Sequence, residues 1–293
     1  MVGVSLVRSE EEPSIVATPF GLDRLLASLD RRARRTLAPG RAVRRALTWD
    51  AADRRDPTWW PQGITWSGDV LAISWYSTAG LGVRISFLDL ATRRYRHVRL
   101  VTAGGEPVSV HAGGLVWHGP WLYVAATRRG LLACHLDDLA LHADLGPVLP
   151  VRATYRAVTP SGVERLRYSF CSFDRSGPAL VVGEYGNASQ TRRLMRYPLP
   201  LAESSYAEPV GDAVPRTQGA VAVDGRHYLT RSRGPWVPGS VYAGPPGQLR
   251  EHRWAVPMGP EDLAWRPDGD LLWSVTEHPR RRWIVGLPRR YFA

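Results

Sequence analysis

Acidic and histidine side chains recur in this sequence at positions from which they could carry acid–base chemistry. Four of them open or follow short apolar segments and are candidate catalytic residues: His111, Glu184, Glu261 and Glu277. A histidine titrates near neutrality, and glutamates held together in a partly dry site have their pKa values pushed apart, as proton transfer requires. These residue types predict a site that removes and returns protons, provided that the fold brings them together.

Other side chains offer contacts that would hold a substrate beside these groups. Arg231 could neutralise a substrate anion or a developing oxyanion, and aromatic rings could stack on a flat or cationic substrate. With the hydrogen-bonding groups added, the candidate substrate-binding residues are Gln62, Gln218, Arg231, Tyr185, Tyr76, Trp59, Trp60 and Ser169. The alternative for each of them is structural, because polar groups in a channel can satisfy one another and trapped water.

The sequence excludes several other kinds of chemistry. It contains no lysine, which rules out Walker-type phosphate loops, Schiff bases and pyridoxal anchoring. It also lacks the Gly-x-Ser-x-Gly, Gly-x-Gly-x-x-Gly, His-Glu-x-x-His and Cys-x-x-Cys motifs. The two cysteines, Cys134 and Cys171, lie in apolar runs and are expected to be small core residues in a reducing compartment. We predict no cofactor.

The segments that must position the candidate residues form a repeat. From Pro61 onward, a unit recurs at intervals of 43 to 58 residues: a short opening with small residues, an apolar strand, a turn, and further strands. Glycine and aspartate in the turns tolerate positive φ and close hairpins. The five openings contain, in chain order, Gln62, His111, Ser169, Gln218 and Glu261.

Units of this length with four short strands are typical of β-propeller blades. We therefore predict an all-β fold, a five-bladed β-propeller over residues 57–293. A two-sheet sandwich would explain the strands but would leave the five repeated openings unexplained. Glycines of the openings, such as Gly114, are expected where inner strands crowd at the axis. Asp262 is expected to bond backbone amides at a blade junction.

Residues 1–56 form a predicted N-terminal extension with two elements. Leucines at helical spacing predict one amphipathic helix over about residues 21–36, packed against the propeller. The last repeat shows only three strand candidates, so a strand at about Val43 to Trp49 is expected to complete the last blade and close the ring. The extension has no signal-peptide core, and no apolar run is long enough to span a membrane, so we expect a cytoplasmic protein.

Propeller geometry should gather the candidate residues at one face of the ring. The start of each inner strand lies beside the end of the second strand, so the five openings and the ends of the second strands meet around one mouth. A cleft at the axis with convergent polar groups is the default binding site. A divalent metal in the axial channel stays an open alternative to a site without metal.

Several motifs combine into a resemblance that spans most of the chain. They include Trp59-Trp60-Pro61-Gln62-Gly63-Ile64, Gly183-Glu184-Tyr185-Gly186 and Gly259-Pro260-Glu261-Asp262-Leu263. Over roughly residues 57 to 288, the chain resembles a group of actinobacterial propeller proteins of unassigned function, most of them described as secreted. The resemblance implies the propeller fold and supplies no catalytic residues. Since this chain lacks an export signal, the resemblance also suggests recruitment to another task, in specialised metabolism.

Three classes of function fit these predictions. The first is a small-molecule enzyme of specialised metabolism that performs acid–base chemistry in the axial funnel, as a lyase, cyclase, isomerase or hydrolase. The alternatives are a non-catalytic propeller that binds a small ligand or glycan, and a protein-interaction scaffold. A lectin would repeat its binding residues in every blade, whereas the five openings differ, which favours one axial site.

Charge bears on the partners of the protein. The formal net charge is +11, and all 38 basic residues are arginine. Arg31 to Arg45 is the one dense stretch, with seven arginines and no acidic residue. The other arginines are scattered, which indicates a solvated surface. We expect a small-molecule substrate or ligand, no nucleic acid, no membrane, and a monomer or weak dimer.

Overall fold

The computed structural model describes residues 4–293, so the first three residues of the predicted extension lie outside the described part. The helices are α1 (Leu22–Ala27), α2 (Ala51–Arg55) and two 3₁₀ helices, Leu136–Asp138 and Arg289–Phe292. The first strands in chain order are β1 (Ser5–Glu10), β2 (Thr18–Pro19), β3 (Arg31–Arg32), β4 (Arg34–Arg35), β5 (Arg45–Thr48), β6 (Trp59–Ser67), β7 (Val70–Ser77), β8 (Val83–Asp89) and β9 (Arg94–Val101).

The following strands are β10 (Ala112–His118), β11 (Trp121–Ala126), β12 (Gly130–His135), β13 (Ala140–His142), β14 (Gly146–Pro150), β15 (Ala153–Val158), β16 (Phe170–Asp174), β17 (Ala179–Gly183) and β18 (Arg193–Pro198). The last strands are β19 (Ser204–Tyr206), β20 (Glu208–Asp212), β21 (Thr217–Val223), β22 (Arg226–Arg231), β23 (Gly239–Gly244), β24 (Arg250–Val256), β25 (Pro260–Arg266), β26 (Leu271–Thr276) and β27 (Trp283–Pro288).

The strands are arranged as a propeller. Each sheet begins with an inner strand and continues outward. The orders are β6-β7-β8-β9-β14-β13-β2, β10-β11-β12-β15-β1-β19, β16-β17-β18-β20, β21-β22-β23-β24 and β25-β26-β27-β5-β4. Strand β3 also pairs with β9, and among these strands of residues 4–293 the β14–β9 pair is parallel while the other pairs are antiparallel. The predicted all-β propeller is confirmed. A count of regular blades gives four rather than the predicted five.

The hydrophobic core lies between the sheets. Consecutive sheets face each other across separate apolar clusters, and the cluster that contains Trp75 and Trp273 joins the last sheet to the first. Both tryptophans are almost fully buried. Cys134 and Cys171 are free and buried in this core, and burial raises the pKa of both thiols, as expected for structural rather than reactive cysteines.

β-bulges interrupt the inner strands at the repeated openings. In the first sheet, Gln62 and Gly63 stand opposite the single residue Ser74, and Gln218 and Glu261 lie in matching irregularities of β21 and β25. A bulge leaves its extra residue out of the ladder and re-aims the side chain. The bulges therefore explain why polar residues in inner strands point into a common space.

The inner strands pack so closely that only glycine fits at several positions. A Cβ on Gly114 would lie 2.0 Å from the backbone nitrogen of Cys171, and one on Gly63 would lie 2.7 Å from the backbone of Gly114. The buried Asp262 carboxylate accepts hydrogen bonds from the backbone N–H groups of Ile64 and Leu115, at 3.1 and 3.3 Å. The predictions of glycine crowding and of a structural role for Asp262 are confirmed.

The N-terminal strands β1 to β5 pair with strands of the first, second and last sheets. β5 lies inside the segment expected to close the last blade, and it pairs with β27 in antiparallel register, Thr48 opposite Trp283. β1 instead bridges β15 and β19. The predicted helix over residues 21–36 is wrong in length: α1 ends at Ala27, because the arginines that follow pair as strands β3 and β4 with β9 and β5. The leucine spacing predicts the helix correctly only over Leu22–Ala27, where Leu25 is buried.

Candidate functional site

A cavity of about 370 Å³ opens where the inner strands begin, and we call it the axial cavity. Its lining residues are Gln62, His111, Thr127, Arg128, Arg167, Ser169, Tyr185, Gln190, Gln218, Glu261 and Glu277. The five opening residues named from the sequence are all among them. The structure therefore brings together, from separate sheets, the polar groups that the repeat predicted to meet.

Glu261 and Glu277 are the chemically distinctive groups of this cavity, and we call them the glutamate pair. Glu261 lies in the bulge of β25 and is 3% exposed, and Glu277 follows the last residue of β26. Burial, together with the adjacent Glu277 carboxylate, raises the pKa of Glu261 well above its usual range. Burial also raises the pKa of Glu277, while hydrogen bonds from Gln62 and Glu261 oppose that rise.

The glutamate pair is arranged to share one proton. A hydrogen bond between the two carboxyl groups raises the pKa of Glu261 and opposes the rise in the pKa of Glu277, so Glu261 holds a proton more tightly than Glu277 does. Two glutamines support the outer oxygens: Gln218 Nε2 donates to Glu261 Oε1 at 3.1 Å, and Gln62 Nε2 donates to Glu277 Oε2 at 3.2 Å. One buried negative charge is thus spread over two carboxyl groups, as in coupled acid pairs.

His111 and Tyr76 stand together beside the glutamate pair. Their ring centroids lie 4.5 Å apart. Burial and the charges of Glu277 and Glu261 raise the pKa of Tyr76 to about 12, so its hydroxyl stays protonated. Desolvation by the protein atoms around the ring lowers the pKa of His111, which favours the neutral imidazole. Both groups can therefore donate or accept hydrogen bonds without adding charge to the cavity.

The arginines of the cavity lining, Arg128 and Arg167, do not include the one predicted from the sequence. Arg231 is turned outward, with its guanidinium 2.8 Å from the Tyr242 hydroxyl and 4.0 Å from Glu251, so its proposed role as anion clamp is corrected. Arg128 lies in the lining instead, and it is exposed at positive φ, 69°, in the β11–β12 turn. Sequence analysis missed Arg128 because it lies two positions beyond the end of β11, the second strand of its sheet.

The structure also corrects the catalytic role predicted for Glu184. Its carboxylate is fully buried and forms a paired ion contact with Arg193, at 3.0 and 2.9 Å. The backbone N–H groups of Arg167 and Arg193 donate to the same oxygens. Burial raises the pKa of Glu184, but these hydrogen bonds outweigh it and hold the pKa below its usual value. Glu184 is an ionised structural tie and does not line the axial cavity.

The two tryptophans predicted to stack on substrate lie elsewhere. Trp59 is 7% exposed and belongs to the core, with the Arg84 guanidinium 4.7 Å from its ring. Trp60 packs edge-on against His278, whose Nε2 lies 3.6 Å from a Glu277 oxygen. Trp60 is thus one layer behind the glutamate pair. Tyr185, at 43% exposure, is the aromatic wall that does reach the cavity, and Ser169 lines it as predicted.

Residues 4–293 contain neither a cluster of metal-ligating side chains nor a membrane-spanning helix. Within that range, no group of three or more histidine, cysteine, aspartate and glutamate side chains is placed to hold a metal ion. No helix in that range is long and apolar enough to span a bilayer.

Comparison with known proteins identifies no family. No family model and no curated protein matches the chain. Among solved structures, it is similar to hydrazine synthase of Kuenenia stuttgartiensis (13% identity, 80% of this chain and 88% of that one, TM-score 0.39) and to a thermostable family-43 glycoside hydrolase (12%, 79% and 90%, 0.46). It is also similar to RS223 β-xylosidase (8%, 78% and 91%, 0.42). Likenesses at these levels carry no argument about activity.

Proposed function

We propose that the axial cavity is the active site of a hydrolase that cleaves an acyl bond in a small substrate. The observation that supports this proposal is the glutamate pair: the buried Glu261 carboxyl group and the half-buried Glu277 carboxyl group lie side by side in the lining of an open cavity, and the pKa of each is raised. Hydrolysis can use both members of such a pair, one to activate a water molecule and the other to protonate the carbonyl oxygen. Nothing in the cavity favours elimination, cyclisation or isomerisation over it.

The proposed roles follow from the protonation states. Ionised Glu277 removes a proton from a water molecule, which attacks the carbonyl carbon. Neutral Glu261 donates its proton to the carbonyl oxygen as the tetrahedral intermediate forms. When the carbon–leaving-group bond breaks, the proton held by Glu277 passes to the leaving group, and Glu261 recovers its own proton from the collapsing intermediate. Positioned acid–base groups of this kind contribute about 10²- to 10⁴-fold to the rate.

The spacing of the pair argues against a glycosidase. Glycoside hydrolases need their two carboxyl groups about 5 to 9.5 Å apart, with the sugar between them. Two carboxyl groups that share a hydrogen bond leave no room for a sugar ring. Glycosides are therefore not the substrates that this geometry favours.

Arg128 indicates the charge of the substrate. Its exposed side chain lies at the cavity rim, and no ion pair to it occurs among the described residues. The other arginine of the lining, Arg167, is already paired with the Glu164 carboxylate at 2.9 Å. Among the described lining residues, Arg128 is therefore the arginine available to an anionic group of the substrate. We propose a substrate that carries a carboxylate or phosphate.

A binding protein without catalysis is the second candidate. Its supporting observation is that the glutamate pair is already satisfied by Gln62 and Gln218, as expected of a structural polar network. In that case the cavity would hold an anionic ligand through Arg128 and the glutamate pair would stiffen its floor.

The experiment compares hydrolysis of a panel of p-nitrophenyl esters and p-nitroanilides, with and without a carboxylate, by wild type, Glu261→Gln, Glu277→Gln and Glu208→Gln. Glu208 is an exposed glutamate outside the cavity and serves as the matched control. We expect losses of about 10²- to 10⁴-fold in the two cavity variants and none in the control, with unfolding temperatures checked in parallel. Unchanged activity in folded cavity variants would contradict the proposal. An anionic ligand that raises the unfolding temperature without turnover would favour the binding protein.

We also propose that the ring has five blades. The support is that five sheets each supply one inner strand, and that β6, β10, β16, β21 and β25 contact their neighbours in turn, β25 contacting β6. The first two sheets are widened by β1, β2, β13 and β14 and so differ most from a regular four-stranded blade. A crystal structure with four inner strands around the axis would contradict this proposal.

A further inference from the structure

A second concave site lies at the outer edge of the ring, where the last sheet meets the first. Two adjoining recesses, of about 280 and 440 Å³, share Arg44 and Arg45. Arg290 lines one recess, and Arg35 and Arg93 line the other. We call these two recesses the basic groove. Its arginines come from β4, β5, the β8–β9 turn and the C-terminal 3₁₀ helix, so distant parts of the sequence converge on it.

The arginines of the basic groove are available to a partner. Within residues 4–293, no ion pair and no side-chain hydrogen bond occupies Arg35, Arg44, Arg45 or Arg290, and all four are exposed. Some other arginines are matched by acids, as in Arg266 with Asp69 and Arg289 with Asp270, whereas further exposed arginines, such as Arg99 and Arg156, have no ion pair within residues 4–293 but do not line the two recesses. Asp270 also lines the groove, but its carboxylate is taken up by Arg289 and by Trp265 Nε1. The groove is thus an unneutralised positive surface.

Protection of a sheet edge accounts for only part of this charge. Arg34 and Arg35 lie on β4, the outer strand of the last sheet, where charged residues prevent edge-to-edge pairing. Arg44, Arg93 and Arg290 lie outside the strands, yet they line the same two recesses. A set of like charges that converges from four elements, with Asp270 as the one acid in the lining, repels itself, and an anionic ligand would offset that repulsion.

An exposed aromatic ring lies against the chain segment that leads into Arg44. Trp254 is 45% exposed, at the positive φ of 59°, and the Arg41 guanidinium lies 4.7 Å from its ring. The backbone N–H of Arg41 donates to Trp254 O, which fixes this pair three residues before Arg44. Arginines in a concave surface with an exposed aromatic ring nearby are the residue types that bind single-stranded nucleic acid, through phosphate contacts and base stacking.

We infer that the basic groove binds single-stranded nucleic acid through its phosphates. We take one extended strand as the occupant, because a single strand can follow two adjoining recesses of about 280 and 440 Å³. This inference departs from the expectation of no nucleic-acid partner, which rested on the scatter of arginines along the sequence. The fold gathers part of the Arg31–Arg45 stretch with Arg93 and Arg290, which sequence distance concealed. The inference does not depend on the function of the axial cavity.

The test measures fluorescence anisotropy of a labelled 20-nucleotide single strand titrated with full-length protein at 50 and 200 mM salt. The groove variant carries Arg35→Gln, Arg44→Gln, Arg45→Gln and Arg290→Gln. The control variant carries Arg99→Gln, Arg156→Gln, Arg165→Gln and Arg216→Gln, which remove the same charge from exposed arginines outside the groove. Thermal unfolding of both variants verifies that they fold.

We expect wild-type affinity to fall about 50-fold between the two salt concentrations if four phosphates are contacted. The groove variant should lower the slope of log affinity against log salt by about 3, whereas the control variant should keep the wild-type slope. Equal effects of the two variants would show that only net charge matters and would overturn the inference. Tighter binding to phosphatidylglycerol vesicles than to the single strand, lost in the groove variant, would also overturn it in favour of a membrane surface.

Discussion

Glu184 and Glu261 show how environment decides what one residue type does. Both are buried. Arg193 and two backbone N–H groups surround the carboxylate of Glu184 and lower its pKa. Within residues 4–293, no ion pair forms with Glu261, and burial together with the neighbouring Glu277 charge raises its pKa. Glu184 is thus an ionised residue with a structural role, whereas Glu261 holds a proton that it can donate.

The two glutamates should therefore affect stability in opposite ways as pH changes. For Glu261, the raised native pKa means that the native state is favoured at low pH and penalised as pH rises above the unfolded value. Glu261→Gln should unfold at a higher temperature than wild type at pH 8, by about 2 to 4 °C for each kcal/mol relieved, and at about the same temperature near pH 4. The measurement is the unfolding temperature of each protein from pH 4 to 9.

Glu184→Gln provides the reverse control in the same experiment. The lowered pKa of Glu184 gives stability that is present above its unfolded value and is lost as pH falls through the native value. We expect a loss of about 3 kcal/mol near neutrality, as for breaking a buried ion pair, that shrinks in acid. Parallel pH profiles for both variants would contradict the assignment of opposite pKa shifts.

Individual site residues were predictable to the extent that the repeat placed them. Gln62, Gln218 and Glu261 occupy bulges, and a regular opening motif reveals a bulge in the sequence. The sequence does not predict the actual positions of the Arg231 and Glu184 side chains. Their partners, Tyr242 and Arg193, are contributed by neighbouring strands. Side-chain pairing of that kind has no signature in spacing.

At the scale of elements, bulges and hydroxyl groups join the inner strands. The Ser74 hydroxyl accepts from the Gly63 N–H at 2.9 Å and donates to Ala112 O at 2.8 Å, which links one sheet to the next. Thr230 in the fourth sheet donates to Glu261 O at 2.7 Å, an equivalent link. Each bulge is therefore held by the second strand of its own sheet and tied to the following sheet.

A methyl group at the crowded axis should break this packing. Gly114→Ala would place a Cβ 2.0 Å from the Cys171 nitrogen, a backbone atom that cannot rotate away. We expect a loss of at least about 3 kcal/mol, the upper range for overpacking. Gly119→Ala is the control: its φ is +56°, but no atom lies within 4 Å of an added Cβ, so the loss should be near 1 kcal/mol. Urea unfolding measures both, and equal losses would contradict crowding as the reason for Gly114.

The elements themselves were predictable unevenly. The strands from β6 onward follow alternating or continuous apolar runs between turn residues, which is a strong local signal. The segment after α1 has helical leucine spacing as far as Leu29, but cross-strand pairing of Arg31 with Tyr95 overrides it. Propensity is a weak prior against such tertiary contacts. β1 was not foreseen at all, because its partners are more than 140 residues away in sequence.

At the scale of the whole molecule, β5 closes the ring by pairing with β27. The Thr48 hydroxyl adds a hydrogen bond of 2.8 Å to Arg282 O. Without β5, the last sheet would end in an open edge, a template for pairing between molecules. The membership of the actinobacterial group, the monomeric or weakly dimeric state and the cytoplasmic location are properties of this scale that stay predictions.

A proline in the closing strand should weaken the entire ring. Ala46→Pro removes a backbone N–H from a strand that lies between β27 and β4, and we expect a loss of about 3 kcal/mol together with aggregation through the freed edge. Leu37→Pro, at a residue that is 93% exposed and outside the strands, should change stability little. Urea unfolding and light scattering provide the readouts. Equal stability of the two variants would show that closure contributes nothing.

The pairing of β5 with β27 also sets an order for biosynthesis. β5 leaves the ribosome long before its partner, since Thr48 and Arg282 are 234 residues apart. At about 5 to 20 residues per second, β5 waits roughly 10 to 50 s with one side unpaired. The nascent chain therefore carries a strand with an unpaired edge through most of its translation, and that edge can pair with other chains until the last sheet emerges.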